Sequence, residues 1–251
     1  MKRLLLFIIG VLLGIQACSP EPVYRLKAEA DNNQTSYYQG VEYIHMQKDS
    51  VQLTVGYYEH TSNLFALEVE VINNSDRFIR VAPDSFKYES YVGEQPENPG
   101  KLLTVNTAKD PEQKILNIDM ELSRQEVRQK GDEFLFYTLQ GLTVASAVAA
   151  DTKEEREEAG EDLAENAVHQ QIDRVEYRYD RSSLRQSRQF WEGEVLRITD
   201  LWPNESIRGL VYFKTDPEAR LYNIIIKIEE LHFNTWFLQQ KYQPKHSIDE
   251  D

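Results

Sequence analysis

The chain has 251 residues, of which 28 are Lys or Arg and 42 are Asp or Glu, so its formal net charge is −14 at pH 7. This acidic balance opposes non-specific binding to nucleic acid or to anionic lipid headgroups, and no nucleic acid partner is expected. A single cysteine excludes an intramolecular disulfide, so packing must stabilise the folded body, and the length suffices for one domain with a sizeable core.

Residues 1–17 are organised like a signal peptide. Lys2 and Arg3 precede an apolar stretch of 12 residues, and the small residue Ala17 stands directly before Cys18. A membrane-spanning helix needs roughly 20 apolar residues, so this stretch is too short to span a bilayer and fits the hydrophobic region of a signal peptide.

The segment Ile15-Gln16-Ala17-Cys18 resembles the lipobox of bacterial lipoproteins. The resemblance implies cleavage before Cys18, lipid on its thiol, and acylation of the new amino group with fatty acids such as palmitate. No cofactor other than this covalent lipid is expected. Several acyl chains on one residue anchor a protein durably, whereas one chain binds a membrane only marginally. The alternative is an ordinary secretory signal with an incidental thiol.

The lipobox resemblance also implies a location in the cell envelope. Ser19 is no evident retention signal for the inner membrane, which favours the outer membrane in a bacterium with two membranes. Residues 18–40 are polar with little periodicity, and we predict a lipidated N-terminus followed by a flexible tether. Residues 41–240 are predicted to form a single domain, and residues 241–251 a charged tail.

Alternation of apolar and polar residues predicts β-strands on both sides of a central region. Because successive side chains of a strand point to opposite faces, this alternation indicates half-buried strands. Before the central region, strands are predicted over residues 41–45, 51–57, 65–71, 78–81, 86–91 and 102–105. After it, they are predicted over residues 195–198, 210–213, 221–228 and 233–238. The predicted fold is mainly β, an immunoglobulin-like antiparallel β-sandwich.

The central region, residues 121–190, is predicted to be an inserted α-helical hairpin, which makes the overall class α+β. Ser123 and Glu126 have capping-box spacing, and apolar residues repeat at three and four positions as far as Ala150. A second helix is predicted to start near Asp151, where acidic residues suit the positive end of the helix dipole. Because a hairpin brings its two ends together, it can be inserted between two strands of a single sandwich domain.

Two segments carry a second resemblance. "FALEVEVINNSDRFIRVAPDSFKY" and, far downstream, "LWPNESIRGLVYFK" are similar to secreted bacterial families with an immunoglobulin-like sandwich, many of unknown function. The matching positions of the second segment are Pro203, Glu205, Gly209, Val211 and Phe213. The resemblance implies a turn at the proline and core-facing side chains at Val211 and Phe213. It implies no chemistry.

Residues that carry out catalysis are not evident. There is no G-x-S-x-G motif and no phosphate-binding glycine loop, and the histidines lack a zinc-binding spacing. We therefore predict no catalytic residue, no metal site and no enzyme. Glu68 and Glu70 are interpreted as the solvent face of one strand, and the acids from Glu154 to Asp162 as a solvated helix start. One alternative to a non-enzymatic protein is a hydrolase that uses two of the many carboxylates.

Five arginines repeat at spacings of four, three, four and three residues, which places them along one ridge of a continuous helix. They are Arg174, Arg178, Arg181, Arg185 and Arg188. One interpretation is a docking strip for an anionic partner or an envelope protein. The structural interpretation is that Glu121, Glu126, Asp132 or Glu133 of the first helix neutralise the strip.

Exposed aromatic residues are candidates for stacking on sugar rings. Trp202 stands beside a turn proline and is the preferred glycan-stacking candidate, whereas Trp236 is predicted to pack in the core beside Phe233 and Phe237. The leading hypothesis is a membrane-anchored envelope lipoprotein that acts as a non-enzymatic interaction or structural module. The alternative is a glycan-binding accessory lipoprotein that uses exposed aromatics.

Overall fold

The computed structural model describes residues 22–29, 34–61, 63–149 and 180–242. The chain divides into two compact units, with residues up to Lys109 and from Ile198 onward in the first and Asp110–Arg197 in the second. All the described strands belong to the first unit, and the two long described helices belong to the second. The mainly β fold with a helical insertion is thus as predicted.

The first unit contains two five-stranded antiparallel sheets and one two-stranded sheet. The first sheet has, in spatial order, β1 (Val23–Glu29), β12 (Leu231–Tyr242), β11 (Leu221–Ile228), β7 (Lys87–Tyr91) and β8 (Leu102–Thr107). The second has β10 (Ser206–Lys214), β5 (Leu64–Asn73), β4 (Val51–His60), β3 (Val41–Lys48) and β2 (Thr35–Tyr38). The small sheet pairs β6 (Ile79–Val81) with β9 (Thr199–Leu201), and a single 3₁₀ turn, Pro83–Ser85, follows β6.

Aromatic rings from both large sheets meet in the core. Phe65 of β5 lies 5.4 Å from Phe213 of β10 and 5.0 Å from Tyr222 of β11, measured between ring centroids. Tyr88 of β7 lies 5.7 Å from Phe65. All four side chains are fully buried, and the alternation of Val211 and Phe213 toward the core is as predicted. Burying such rings is the main source of stability in a body without disulfides.

The structure corrects the predicted tether. Residues 18–40 contain two strands: β1 pairs with the end of β12, and β2 pairs with β3. Their backbone hydrogen bonds extend each large sheet by one edge strand, which the weak alternation of these segments did not indicate. The predicted charged tail is also partly ordered, because β12 ends at Tyr242. Residues 243–251 lie outside the described part.

Two further predictions are wrong. Residues 195–198 form no strand beyond an isolated bridge at Val195, and the strand of this region is β9. Trp236 does not enter the core. It points away from the core, on the outer face of the first sheet, because the alternation of β12 puts Phe233 and Phe237 inside. Its indole lies 5.8 Å from the ring of Tyr91.

The helical unit begins earlier than predicted. Helix α1 spans Pro111–Ala149, so Ser123 and Glu126 lie inside the helix and form no capping box. The N-cap is Asp110, whose Oδ1 accepts hydrogen bonds from the backbone N–H of Glu112 at 2.9 Å and of Gln113 at 3.2 Å. Proline at the first helical position suits this start, since its missing N–H is one that no helical carbonyl would accept.

A second helix, α2, covers residues 180–193 of the described chain. Its Arg188 forms an ion pair with Asp119 of α1 at 2.6 Å, and Arg181 lies 3.9 Å from Glu126. The later residue of α2, Arg188, contacts the earlier residue of α1, Asp119. The two helices therefore run antiparallel, as a hairpin requires. The predicted start of the second helix near Asp151 lies outside the described residues.

Candidate functional site

A cluster of polar and aromatic side chains lies on the outer face of the second sheet. It surrounds a cavity of about 160 Å³, which we call the polar hollow. The volume corresponds to roughly five water molecules at about 30 Å³ each. Its lining residues are Ser36, Tyr38, Tyr43, His45, Thr54, Glu68, Glu70 and Arg208. Alternate residues of five neighbouring strands supply them, because every second side chain of a strand points to the same face.

The centre of the polar hollow is a network of three residues. The Tyr43 hydroxyl donates to Oε2 of Glu68 at 2.5 Å, and Nε of Arg208 donates to Oε1 of the same carboxylate at 2.7 Å. Tyr43 reaches Glu68 across β4 because Gly56 stands between them. A Cβ at Gly56 would lie 2.6 Å from the ring atoms Cδ1 and Cε1 of Tyr43.

This network shifts the pKa of each member. Hydrogen bonding to Arg208 lowers the pKa of Glu68, and the Tyr43 hydroxyl lowers it further. Burial, followed by the hydrogen bond to Glu68, raises the pKa of Tyr43 to about 12. The Glu68 carboxylate in turn raises the pKa of Arg208. At neutral pH the network therefore holds a carboxylate, a neutral phenol and a guanidinium cation.

A second set of hydrogen bonds crosses β2, β3 and β4 on the same face. Oγ of Ser36 lies 2.7 Å from Nε2 of His45, and Nδ1 of His45 lies 3.1 Å from Oγ1 of Thr54. A serine beside a histidine is the start of a nucleophilic triad, whose third member is a carboxylate that orients the imidazole. Here a threonine hydroxyl occupies the third position.

Trp202 is exposed, as predicted, but it does not join the polar hollow. It follows β9, and its ring lies 5.9 Å from that of Phe78, which precedes β6. The side chains are 61% and 51% exposed, and the pair forms an apolar patch beside the small sheet. Glu205 fixes the turn by accepting a hydrogen bond from the backbone N–H of Trp202 at 2.9 Å.

The arginine strip divides into described and undescribed parts. Arg174 and Arg178 lie outside the described residues. Arg181 and Arg188 contact acids of α1, as the structural interpretation requires, although Asp119 was not among the predicted partners. Arg188 also pairs with Glu192 at 2.6 Å, and these carboxylates raise its pKa. Arg185 is exposed and forms no ion pair with a described residue.

The described histidines are distributed over the sandwich without forming a metal centre. His60 is half-buried, its Nε2 lies 3.2 Å from Oγ1 of Thr215, and burial lowers its pKa. In the described part of the chain, no three His, Cys, Asp or Glu side chains are placed to hold a metal ion. No described helix combines the length and the apolar character needed to cross a membrane. Cys18 lies outside the described residues.

Comparisons with family models, with curated proteins and with solved structures find no match to this chain. The polar hollow was not predicted as a site. Alternation did place Glu68 and Glu70 on the outer face, as the structure does. Glu68 and Arg208 are 140 residues apart, and only the register of β5 with β10 brings them together.

Proposed function

We propose that this protein is a lipid-anchored component of a bacterial cell envelope that binds a partner without transforming it. Cys18 carries the anchor, and the sandwich is the binding module. The observation that carries the binding part is the Tyr43–Glu68–Arg208 network, which presents preorganised hydrogen-bonding groups around a solvent-accessible cavity.

The directions of the pKa shifts favour recognition over acid–base catalysis. A general base is most effective with a pKa near the working pH, which for a glutamate requires an upward shift. The pKa of Glu68 is shifted downward, and that of Tyr43 upward to about 12, away from neutrality. Both groups therefore keep one protonation state at pH 7 and are suited to constant donor and acceptor roles.

Partitioning between detergent and aqueous phases tests the anchor. Expressed in a lipoprotein-processing bacterium, the natural chain should enter the detergent phase, and the Cys18→Ser variant should remain aqueous. Ser19→Ala is the matched control and should partition like the natural chain. A mass spectrum that shows an intact start at Met1 and an unmodified thiol would contradict the proposal.

Site-specific photocrosslinking in intact envelopes tests the binding role. A photoreactive amino acid in place of Tyr38, at the rim of the polar hollow, should give a discrete adduct. The same probe in place of Lys227, an exposed position of the first sheet, is the control. Arg208→Gln should reduce the Tyr38 adduct severalfold. Equal adducts from both positions would contradict a binding site at the hollow.

A glycan is the second candidate partner, because the polar hollow combines phenol rings with paired carboxylate and guanidinium groups. Tyr38 is 60% exposed and offers a stacking surface, while Glu68, Glu70 and Arg208 match the hydroxyl groups of a sugar. Saturation-transfer NMR against a saccharide set should give signals that Tyr38→Ala removes. If Trp202→Ala removes them instead, the exposed Phe78–Trp202 pair is the glycan site.

A further inference from the structure

Apolar and phenolic side chains are exposed around the N-terminal strand β1 of the sandwich. Four exposed residues from four different strands line a single cavity of about 540 Å³. They are Val23 of β1, Tyr37 of β2, Tyr58 of β4 and Tyr242 of β12, each at least half exposed. We call this surface the tyrosine end.

Two of the three tyrosine hydroxyl groups of the tyrosine end are hydrogen-bonded, and all three residues are at least half exposed. The Tyr37 hydroxyl donates to Glu42 at 2.9 Å, and the Tyr242 hydroxyl donates to Gln240 at 2.7 Å. Tyrosine is enriched where a protein meets the boundary between bilayer and water, because its ring is apolar and its hydroxyl polar.

The lipidated cysteine lies close to the tyrosine end along the chain. β1 begins at Val23, five residue steps after Cys18. A fully extended chain covers at most about 3.6 Å per residue, so these steps reach no more than about 18 Å. This reach is less than half the length of β12, which with 12 residues is about 40 Å long at roughly 3.4 Å per residue. The anchor therefore cannot hold the sandwich far from the bilayer, and Val23 must lie near the headgroups.

We propose that the tyrosine end is the surface with which the protein rests on the interface of the bilayer that holds its own acyl chains. This inference depends on the proposed lipidation of Cys18. The charges of the surface agree with it: Arg25 and Lys27 balance Glu42 and Glu59 among the lining residues. Cleavage before Cys18 removes Lys2 and Arg3 and changes the formal charge from −14 to −16, but the lining charges of the tyrosine end sum to zero, so this surface is not repelled by a zwitterionic or weakly anionic bilayer.

Hydroxyl-radical footprinting read by mass spectrometry tests the proposal. The lipidated full chain is placed in phosphatidylcholine vesicles at a low ratio of protein to lipid, and the Cys18→Ser chain is labelled in solution. Oxidation of Tyr37, Tyr58 and Tyr242 should fall at least threefold in the vesicle sample. Trp202, which is 61% exposed and belongs to none of these strands, should be labelled equally in both samples.

Vesicle flotation of the same sample separates failure of the anchor from failure of the docking surface. A natural chain that does not float shows that the lipid anchor, and with it this inference, is wrong. A chain that floats with unchanged labelling of the three tyrosines keeps its anchor and overturns the docking surface alone. Protection of the tyrosines in the soluble Cys18→Ser chain at the same concentration would assign the surface to a second copy and would also overturn the proposal.

A lengthened linker supplies a second measurement that needs no change in the folded body. Inserting 20 Gly and Ser residues after Ser19 relaxes the limit on reach, while the tyrosine end remains intact. The insertion should leave flotation unchanged and should raise the labelling of Tyr37 and Tyr58 at least twofold. Replacing Tyr37, Tyr58 and Tyr242 by Ser in this long-linker chain should raise the labelling of Val23 further. If the replacement leaves Val23 labelling unchanged, the rings do not hold the surface to the bilayer.

Discussion

Gly56 determines the position of the Tyr43 ring, and a single methyl group there should disturb the polar hollow. A Cβ would lie 2.6 Å from two ring atoms, so in Gly56→Ala the ring must move and its hydrogen bond to Glu68 must lengthen. We expect a loss of about 1 to 3 kcal/mol in the free energy of unfolding. The pKa of Tyr43 should also fall from about 12 toward its ordinary value. Urea unfolding and phenol titration measure the two effects.

Gly193→Ala is the matched control for this prediction. Nothing lies within 4 Å of a Cβ built at Gly193, so the added methyl group meets no neighbour. Its unfolding free energy should stay within about 0.5 kcal/mol of the natural chain, as for most surface changes. If Gly56→Ala is as stable as this control, the ring of Tyr43 does not depend on the glycine.

Glu68→Gln tests the pH dependence of the same network. The pKa of Glu68 is lower in the folded than in the unfolded chain, so its stabilising effect is complete above about pH 4.3 and disappears as the pH falls through the folded pKa. At pH 7 the variant should lose about 1 kcal/mol, a modest value because solvent screens a partly exposed ion pair.

Comparing urea midpoints at pH 7 and pH 3 measures the Glu68 contribution, because the difference between the natural chain and the Glu68→Gln variant should be smaller at the lower pH. Glu70→Gln removes a neighbouring charge that forms no hydrogen bond with a described residue, and it should change the unfolding free energy little at either pH. A constant difference between Glu68→Gln and the natural chain at both pH values would contradict the assigned role.

The sequence indicates on which face of a strand a side chain lies, but it does not readily indicate which residue that side chain contacts. Period two correctly separates Phe213 from Arg208 on β10, and the same rule, applied strictly, places Trp236 opposite Phe233 and Phe237. The prediction that Trp236 is buried relied on its apolar neighbours Phe233 and Phe237 instead. The contact of Arg208 with Glu68 depends on strand register, which one sequence does not contain.

At the scale of elements, α1 should depend on its cap. Asp110→Ala removes the acceptor of two backbone N–H groups and should cost about 1 kcal/mol of helix stability. Asp110→Ser keeps a capping oxygen and should lose only a few tenths of this. Helical circular dichroism during urea unfolding measures both. Equal midpoints for the two variants would mean that the cap is dispensable.

The ion pair between α2 and α1 distinguishes a structural arginine from one that is available for docking. Arg188→Asp should lower the urea midpoint of the helical signal, because it faces Asp119 with a like charge. Adding Asp119→Arg should restore much of the loss, as expected for residues that interact directly. Arg185→Asp is the control and should leave the midpoint nearly unchanged, since Arg185 is exposed. A lack of restoration would contradict the direct contact.

The limits of the predicted helices and strands have physical causes. The start of α1 was missed because Asp110-Pro111 was not recognised as a cap, although an acid before a proline is a typical helix start. β1 and β2 were missed because their outward positions expose Val23 and Tyr37, so apolar residues do not mark one face. Edge strands are held by backbone hydrogen bonds to one neighbour, and these impose little pattern on side chains.

At the scale of the whole molecule, the sequence contains the fold class but not the pairing of strands. Two groups of alternating segments around a helical region predict a sandwich with an insertion, and the structure agrees. Pairing of β10 with β5 and of β11 with β7 joins segments more than 120 residues apart. These long-range pairs bracket the helical unit, so both sheets require the chain on either side of it.

The division into two compact units predicts that the sandwich folds without the helical unit. Every strand pair lies within residues 22–109 and 198–242, so replacing residues 110–197 removes none of them. The replacement is a flexible linker of 12 Gly and Ser residues that joins Lys109 to Ile198. Fully extended, it reaches about 40 Å, as far as the longest strand, β12, extends. The shortened chain should lose its helical circular dichroism and keep a dispersed NMR spectrum. Its thermal midpoint should fall by no more than about 10 °C, roughly 3 kcal/mol for this size. A molten or aggregated product would show that the sandwich needs the helical unit to fold.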